Sequence, residues 1–122
     1  MALLEGKRAL ITGLASNRSI AWGIAKAMQR EGAEIALTYQ NEKLKPRVEK
    51  FAAELGSNLA FPCDVGDDRA IDELFRTLAT HWDVLDIVVH SIAYAPRKEL
   101  EGLYLDAVTR EGFMIAHEIS SY

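Results

Sequence analysis

Residues 7–39 read KRALITGLASNRSIAWGIAKAMQREGAEIALTY and alternate between strand-like and helix-like patterning. The apolar run at 8–12 predicts a strand covered on both faces, because it shows no polar alternation. Apolar residues then recur at helical spacing between a candidate cap at Ser19 and a candidate stop at Gly32. A second apolar run at 34–39 completes the pattern that is typical of a β–α–β unit in a parallel sheet.

The same alternation continues along the chain. Two further helices are predicted from apolar stripes, on Val48, Phe51, Ala52 and Leu55 and on Ile71, Leu74, Phe75 and Leu78. Asp67 and Asp68 are candidate caps of the later helix. Strands are predicted at 59–63, where Pro62 favours an outer position, and at 85–90. We therefore predict an α/β fold with a doubly wound parallel sheet of Rossmann type, whose four strands are ordered 3-2-1-4.

The last quarter of the chain has a different pattern. Residues 91–106 show no sustained period and predict a long loop, and loops of this length are often functional. From Thr109 onward a helical face is predicted on Phe113, Ala116, His117 and Ser120. The chain ends at Tyr122 within this predicted helix.

Composition and charge exclude several classes of function. Because 18 acidic residues outnumber 14 basic ones, the chain lacks the positive field that nucleic acid binding needs. No apolar run approaches the roughly 20 residues of a membrane span, and the start of the chain does not read as a secretory signal. The single cysteine, Cys63, cannot form an internal disulfide, and it is expected to be a buried core residue. A small-molecule partner and a cytoplasmic location are the resulting expectations.

Metal and nucleophile chemistry receive no support from the sequence. His81, His90 and His117 share no ligand-like spacing with carboxylates, so no metal site is predicted. Trp22 and Trp82 are interpreted as packing residues.

The segment from the first strand to the first helix is a candidate phosphate loop. A strand that ends at Gly13 and a helix that starts near Ser19 place backbone N–H groups and a positive helix end beside a bound pyrophosphate. The spacing is unusual, since the common fingerprint has three close glycines. A strand-to-helix turn that binds nothing remains the alternative interpretation of these residues alone.

Motifs along the whole chain carry a resemblance to one family. They are GKRALITG at 6–13, SIAWGIA at 19–25, TYQN at 38–41, CDV at 63–65, HSIA at 90–93, REGF at 110–113 and AHEISSY at 116–122. Together they resemble the bacterial enoyl-acyl-carrier-protein reductases of fatty acid synthesis, a divergent branch of the short-chain dehydrogenase/reductase superfamily. The resemblance covers about the first half of that family's chain. It therefore implies that residues 1–122 form the dinucleotide-binding half of a single Rossmann-type domain, truncated within its fourth helix.

The resemblance implies a set of site residues. The cofactor-binding residues would be Gly13, Ser19, Ile20, Gln40, Asp64, Val65 and Ile92, and Ala95 would contact the acyl substrate. Gly13, Ser19 and Ile20 match the pyrophosphate loop. Gln40 matches the position that faces the adenosine ribose, while Asp64 and Val65 match the adenine contacts. Without the family, Asp64 is equally well explained as a turn former before Gly66.

The resemblance favours NADH over NADPH as the cofactor. A neutral Gln40 neither holds the ribose hydroxyls as an acid does nor repels a 2′-phosphate, and the nearby Arg18, Lys43 and Lys45 would tolerate one. The preference for NADH over NADPH is therefore expected to be weak. Ala93 departs from the glycine of many relatives, which would narrow the site slightly.

The implied activity is the NADH-dependent reduction of trans-2-enoyl-acyl-carrier-protein, by a cytoplasmic homotetramer. The partner would be an enoyl thioester on acyl carrier protein. The family's catalytic tyrosine and lysine belong after Tyr122, so no catalytic residue is assigned within the chain, which alone is expected to be inactive. Two pairs with superfamily spacing, Tyr39 with Lys43 and Tyr94 with Lys98, lack the helical context that would put them on one face. The alternatives are a nucleotide-binding module without turnover and an inactive truncated fragment.

Overall fold

The computed structural model describes residues 2–122 as two compact units. The first unit runs to Ser91 and the second spans Ile92–Tyr122.

The first unit contains a parallel sheet of four strands. They are β1 (Arg8–Ile11), β2 (Glu34–Tyr39), β3 (Ala60–Pro62) and β4 (Ile87–Val89), in the order β3-β2-β1-β4. Ala9 of β1 lies opposite both Ile35 of β2 and Ile87 of β4. Pro62 ends an outer strand, where its missing N–H costs no ladder hydrogen bond. The predicted fold class and strand order are confirmed.

Three helices connect these strands: α1 (Ile20–Arg30), α2 (Lys45–Glu54) and α3 (Asp68–Leu78). Asp67 caps α3 as predicted, because its carboxylate accepts a hydrogen bond from the Arg69 N–H at 2.9 Å. Ser19 stands at the cap position of α1, but its side chain accepts no helix N–H. The predicted position of the cap is confirmed, but the Ser19 hydroxyl donates to the Ser16 carbonyl at 2.6 Å instead of accepting from the helix.

The core lies on both faces of the sheet. One buried cluster joins β1 and β2 to α1 and α2, through Ala9, Ile11, Ala21, Ala25, Ile35, Leu37, Val48 and Ala52. The other joins the opposite face to α3, through Leu10, Ala36, Cys63, Leu74, Leu78 and Trp82. Neighbouring residues of one strand enter different clusters because successive side chains of a strand point to opposite faces. The sheet is therefore doubly wound.

One residue of the two predicted apolar stripes is exposed. Phe75 is 45% exposed, because the face of α3 that packs against the sheet runs through Ile71, Leu74 and Leu78. The core interpretations of Cys63 and Trp82 are confirmed, and the Trp82 indole N–H also donates to Glu34 at 3.0 Å.

The second unit is helical. It contains a 3₁₀ turn at Arg97–Leu100, a short helix α4 (Tyr104–Ala107) and a longer helix α5 (Arg110–Ser120). The predicted structureless loop at 91–106 is thus partly wrong, since two short helical turns are formed locally there. Thr109 caps α5, where its hydroxyl accepts from the Gly112 N–H at 2.9 Å. No helix within residues 2–122 is long and apolar enough to cross a membrane.

Candidate functional site

The loop from β1 to α1 has the backbone geometry of an anion site. Gly13 follows β1 with a φ of +79°, a conformation that other residues rarely adopt. The N–H groups of Ile20 and Ala21, at the start of α1, have no acceptor among the described residues. The Ile20 side chain is 79% exposed beside them. A helix N-terminus with unpaired N–H donors is suited to bind a phosphate group.

The loop is held in shape by Ser16, a residue that sequence reasoning missed. Its carbonyl accepts from both the N–H (3.1 Å) and the hydroxyl (2.6 Å) of Ser19, and its own hydroxyl accepts from the Arg18 N–H at 3.2 Å. The Ser19 hydroxyl proton is therefore already used within the loop. Any hydrogen bond from this hydroxyl to a ligand would replace the one to Ser16.

Arg47 joins α2 to the same loop. Its guanidinium Nη1 donates to the Ala15 carbonyl at 3.2 Å, across 32 residues of sequence. This contact also escaped sequence reasoning, because no local spacing links the two residues. It places a positive charge at the loop, which favours an anionic ligand there.

Gln40 is exposed directly after β2, at the carboxyl edge of the sheet. The preceding Tyr39 is buried, and burial raises the pKa of its phenol above the ordinary value. A buried tyrosine at the end of a strand does not fit the role of a catalytic acid. Its exclusion as a catalytic residue stays a prediction.

Asp64 and Val65 follow β3 at the same edge of the sheet. The Asp64 carboxylate accepts from the Gly66 N–H at 2.9 Å, and its carbonyl accepts from the Asp67 N–H at 3.0 Å. Val65 is half-buried against the α3 side of the core. Asp64 is thus a turn former, and its exposed side chain keeps a second carboxylate oxygen for a ligand.

Cys63 precedes this turn as a buried thiol. Burial raises its pKa above the ordinary value, and the Asp64 and Asp67 carboxylates add to the shift. A thiol that resists ionisation is a poor nucleophile.

Gly13, Gln40 and Asp64 belong to one edge of the first unit. Each of them follows a parallel strand, and the carboxyl ends of parallel strands in one sheet lie at the same edge. Ser19 and Ile20 begin the helix that leads away from this edge. Ligands of open α/β sheets bind outside the carboxyl ends of the strands, so this edge is the candidate site.

Ile92 and Ala95 lie in the second unit, where both are half-buried. Lys98 is part of the 3₁₀ turn, whereas Tyr94 lies before it in chain without regular secondary structure, so the two do not share a helix. Within residues 2–122, no three His, Cys, Asp or Glu side chains are grouped as metal ligands would be.

Comparisons with known proteins converge on one family. A family model described as "Enoyl-(Acyl carrier protein) reductase" matches residues 13–122. The NADH-dependent enoyl-[acyl-carrier-protein] reductase of Salmonella typhimurium is 60% identical over the whole chain, which covers 47% of that protein. The corresponding Aquifex aeolicus protein is 55% identical, with 45% of its length covered.

Solved structures agree with these matches. The crystal structure of the Aquifex aeolicus enzyme superposes with a TM-score of 0.91 at 54% identity, over 95% of this chain and 46% of that one. An Anaplasma phagocytophilum reductase in complex with NAD gives a TM-score of 0.90 at 45% identity, over 95% of this chain and 44% of the other. The chain spans about half the length of the curated relatives that it matches. Because the family model covers nearly all of the sequence, the resemblance of the motifs is confirmed, and the chain belongs to the enoyl-(acyl carrier protein) reductase family.

Proposed function

We propose that this chain forms the dinucleotide-binding half of an NADH-dependent enoyl-acyl-carrier-protein reductase. The whole protein would reduce the double bond of a trans-2-enoyl thioester on acyl carrier protein during fatty acid elongation. The single observation that carries the proposal is the family match over residues 13–122, which includes the Gly13 loop at the start of α1. When bound, NADH supplies the hydride for the β-carbon of the thioester.

The residues of the first unit fit the parts of a dinucleotide. The free N–H groups of Ile20 and Ala21 are suited to the pyrophosphate, and the positive end of α1 adds to the attraction. The amide of Gln40 would hydrogen-bond the adenosine ribose. The remaining Asp64 oxygen would accept from the adenine amino group, while Val65 packs against the ring. In the second unit, Ile92 would contact the cofactor and Ala95 the acyl substrate.

NADH is the proposed cofactor rather than NADPH. The curated relatives are named as NADH enzymes, and one neighbouring structure holds NAD. Gln40 carries no charge that would exclude a 2′-phosphate, so we infer a preference and not an absolute selection.

The proton-transfer step is assigned to residues outside this chain. The tyrosines of the two superfamily-like pairs, Tyr39 and Tyr94, lack a lysine on the same helix face. We infer that residues 1–122 bind the cofactor without turnover. Assembly as a homotetramer in the cytoplasm is also part of the proposal, and sedimentation of the active enzyme tests the tetramer.

Cofactor binding is tested by titrating NADH into the chain and following nicotinamide fluorescence. Saturable binding is expected, and Gly13→Ala should weaken it about tenfold, because a Cβ would approach the pyrophosphate. Gly56→Ala is the matched control. Gly56 has a similar φ of +71° but precedes β3 at the opposite edge of the sheet, so its substitution costs similar backbone strain without affecting binding. Absence of saturable binding would contradict the cofactor assignment.

Activity is tested in a chimera that joins residues 1–122 to the C-terminal half of the Salmonella typhimurium relative. Oxidation of NADH that depends on an enoyl thioester is expected from the chimera and not from residues 1–122 alone. A chimera that binds NADH without turnover would favour a binding module. Turnover by the 122-residue chain would contradict the assignment of catalysis to residues beyond it.

A further inference from the structure

Ser120, near the end of α5, makes two hydrogen bonds with the backbone of one residue. The Tyr94 N–H donates to Ser120 Oγ at 2.9 Å, and Ser120 Oγ donates to the Tyr94 carbonyl at 3.2 Å. One hydroxyl therefore satisfies both polar groups of a residue 26 positions earlier in the chain. The sequence pattern predicts only that Ser120 lies on a helical face.

These bonds fix the direction of the next N–H group. The peptide between Tyr94 and Ala95 is trans, as are all peptide bonds of residues 2–122. In a trans peptide the C=O and the N–H point in opposite directions. Because the Tyr94 carbonyl is turned toward Ser120, the Ala95 N–H is turned away from α5.

The Ala95 N–H is an unused donor. It has no acceptor within the described part of the chain, although the residue is half-buried. Pro96 follows it, restricts Ala95 to extended conformations and has no N–H of its own. A fixed, unpaired donor of this kind is suited to a carbonyl acceptor on a ligand.

A second contact holds the same segment five residues later. The Glu99 carboxylate accepts from the Thr109 N–H at 2.9 Å and from the Thr109 hydroxyl at 2.5 Å. Thr109 caps the start of α5, whereas Ser120 lies at its end. The segment from Tyr94 to Glu99 is therefore attached to both ends of one helix.

We propose that Ser120 is a positioning residue, which aims the Ala95 N–H at a carbonyl oxygen of the enoyl thioester. The proposal rests on the proposed function, because that function supplies the thioester. Ser120 itself touches only the Tyr94 backbone, so its effect on the substrate is indirect.

The first test uses the full-length chimera described above. Ser120→Ala should raise the KM for the enoyl thioester about tenfold, since two hydrogen bonds that orient the donor are lost. The Kd for NADH should stay within about twofold of wild type, as no cofactor contact is removed. Ser120→Thr keeps the hydroxyl and should restore most of the KM. Ser121→Ala removes the hydroxyl of the exposed neighbour and should behave as wild type.

The outcomes separate positioning from a general structural role. An unchanged KM in Ser120→Ala overturns the proposal, and so does an equal loss of NADH affinity. A wild-type chimera that binds NADH but reduces no thioester contradicts the proposed function instead.

If the chimera reduces no thioester, amide hydrogen exchange in the 122-residue chain still tests the contact between Ser120 and the Tyr94 backbone. The Tyr94 amide should exchange about tenfold faster in Ser120→Ala than in wild type, because its acceptor is gone. The Ala95 amide should be fast in both proteins. Equal Tyr94 rates overturn the proposal.

Discussion

The Thr12 hydroxyl at the end of β1 donates a 2.9 Å hydrogen bond to the Val89 carbonyl at the end of β4. The Thr12 N–H donates to the same oxygen at 3.0 Å, and the Ser91 N–H lies 3.4 Å from the hydroxyl. One side chain thus extends the pairing of β1 and β4 past the last ladder residues. This pairing holds the carboxyl edge in place directly before Gly13.

Thr12→Val should lower the free energy of unfolding by about 1 kcal/mol, because the shape is kept while the hydroxyl bonds are lost. The change is measured by unfolding the chain in urea while its circular dichroism is monitored. Thr12→Ser retains the hydroxyl and is the matched control. Wild-type stability in Thr12→Val would show that the hydroxyl contributes nothing.

Gly112 lies in α5, where its replacement by alanine should have the opposite effect on stability to the usual one. Replacement of a helical glycine by alanine ordinarily stabilises a helix by roughly 0.5–1 kcal/mol. Here a Cβ on Gly112 would overlap the Glu99 carboxylate, which is held by its two bonds to Thr109. We expect Gly112→Ala to destabilise α5, because Glu99 must leave Thr109.

A double-mutant cycle checks this account. In a Glu99→Ala background the overlap is absent, so Gly112→Ala should become stabilising by roughly 0.5–1 kcal/mol. The measurement is the free energy of unfolding of the four proteins. If Gly112→Ala has the same sign in both backgrounds, the overlap with Glu99 does not control this position.

Gln40 offers a test of cofactor selection. Gln40→Asp places a negative charge after β2, where it would accept from the ribose hydroxyls and repel a 2′-phosphate. The ratio of NADPH to NADH dissociation constants should rise about tenfold in this variant. Gln40→Asn has the same size as the aspartate without its charge, so it should leave the ratio near that of wild type. A ratio that is insensitive to the charge would place Gln40 away from the ribose.

Local patterns predicted most of the fold, and the errors have physical causes. β2 was predicted with its observed bounds, since it is an inner strand paired on both sides. β3 and β4 are shorter than their apolar runs, because each pairs with only one neighbour within the sheet. Phe75 fits the helical period of α3 but lies outside the face that meets the sheet.

In the candidate site, the sequence indicates only those residues that act through the backbone next to their own strand. Gly13 needed only a strand, a turn and a helix start, and these are visible in sequence. Thr12, Arg47 and Ser120 act through contacts that span 77, 32 and 26 residues. No spacing rule reports such contacts, since they depend on how strands and helices pack. The cofactor and substrate roles that the resemblance implies stay predictions until ligand binding is measured. These roles belong to Gly13, Ser19, Ile20, Gln40, Asp64, Val65, Ile92 and Ala95.

The last prediction concerns Cys63 at alkaline pH. Burial raises the pKa of this thiol above its ordinary value of 9.0, and two nearby carboxylates add to the shift. In the unfolded chain the thiol ionises near the ordinary value, so the unfolded state loses its proton first as pH rises. The contribution of Cys63 to the free energy of unfolding should therefore be constant below about pH 8 and fall as pH rises through the folded pKa.

Chemical unfolding near pH 8 and about pH 9.5 measures this slope. Cys63→Ala should lower stability at both values, because it leaves a small cavity, but it should flatten the slope between them. Tyr39 keeps a residual slope of the same sign, because burial also raises the pKa of its phenol above 10.0. Iodoacetamide should also alkylate the folded chain more slowly than the urea-unfolded chain at the same pH. An equally steep pH slope in Cys63→Ala would assign the alkaline instability to other groups.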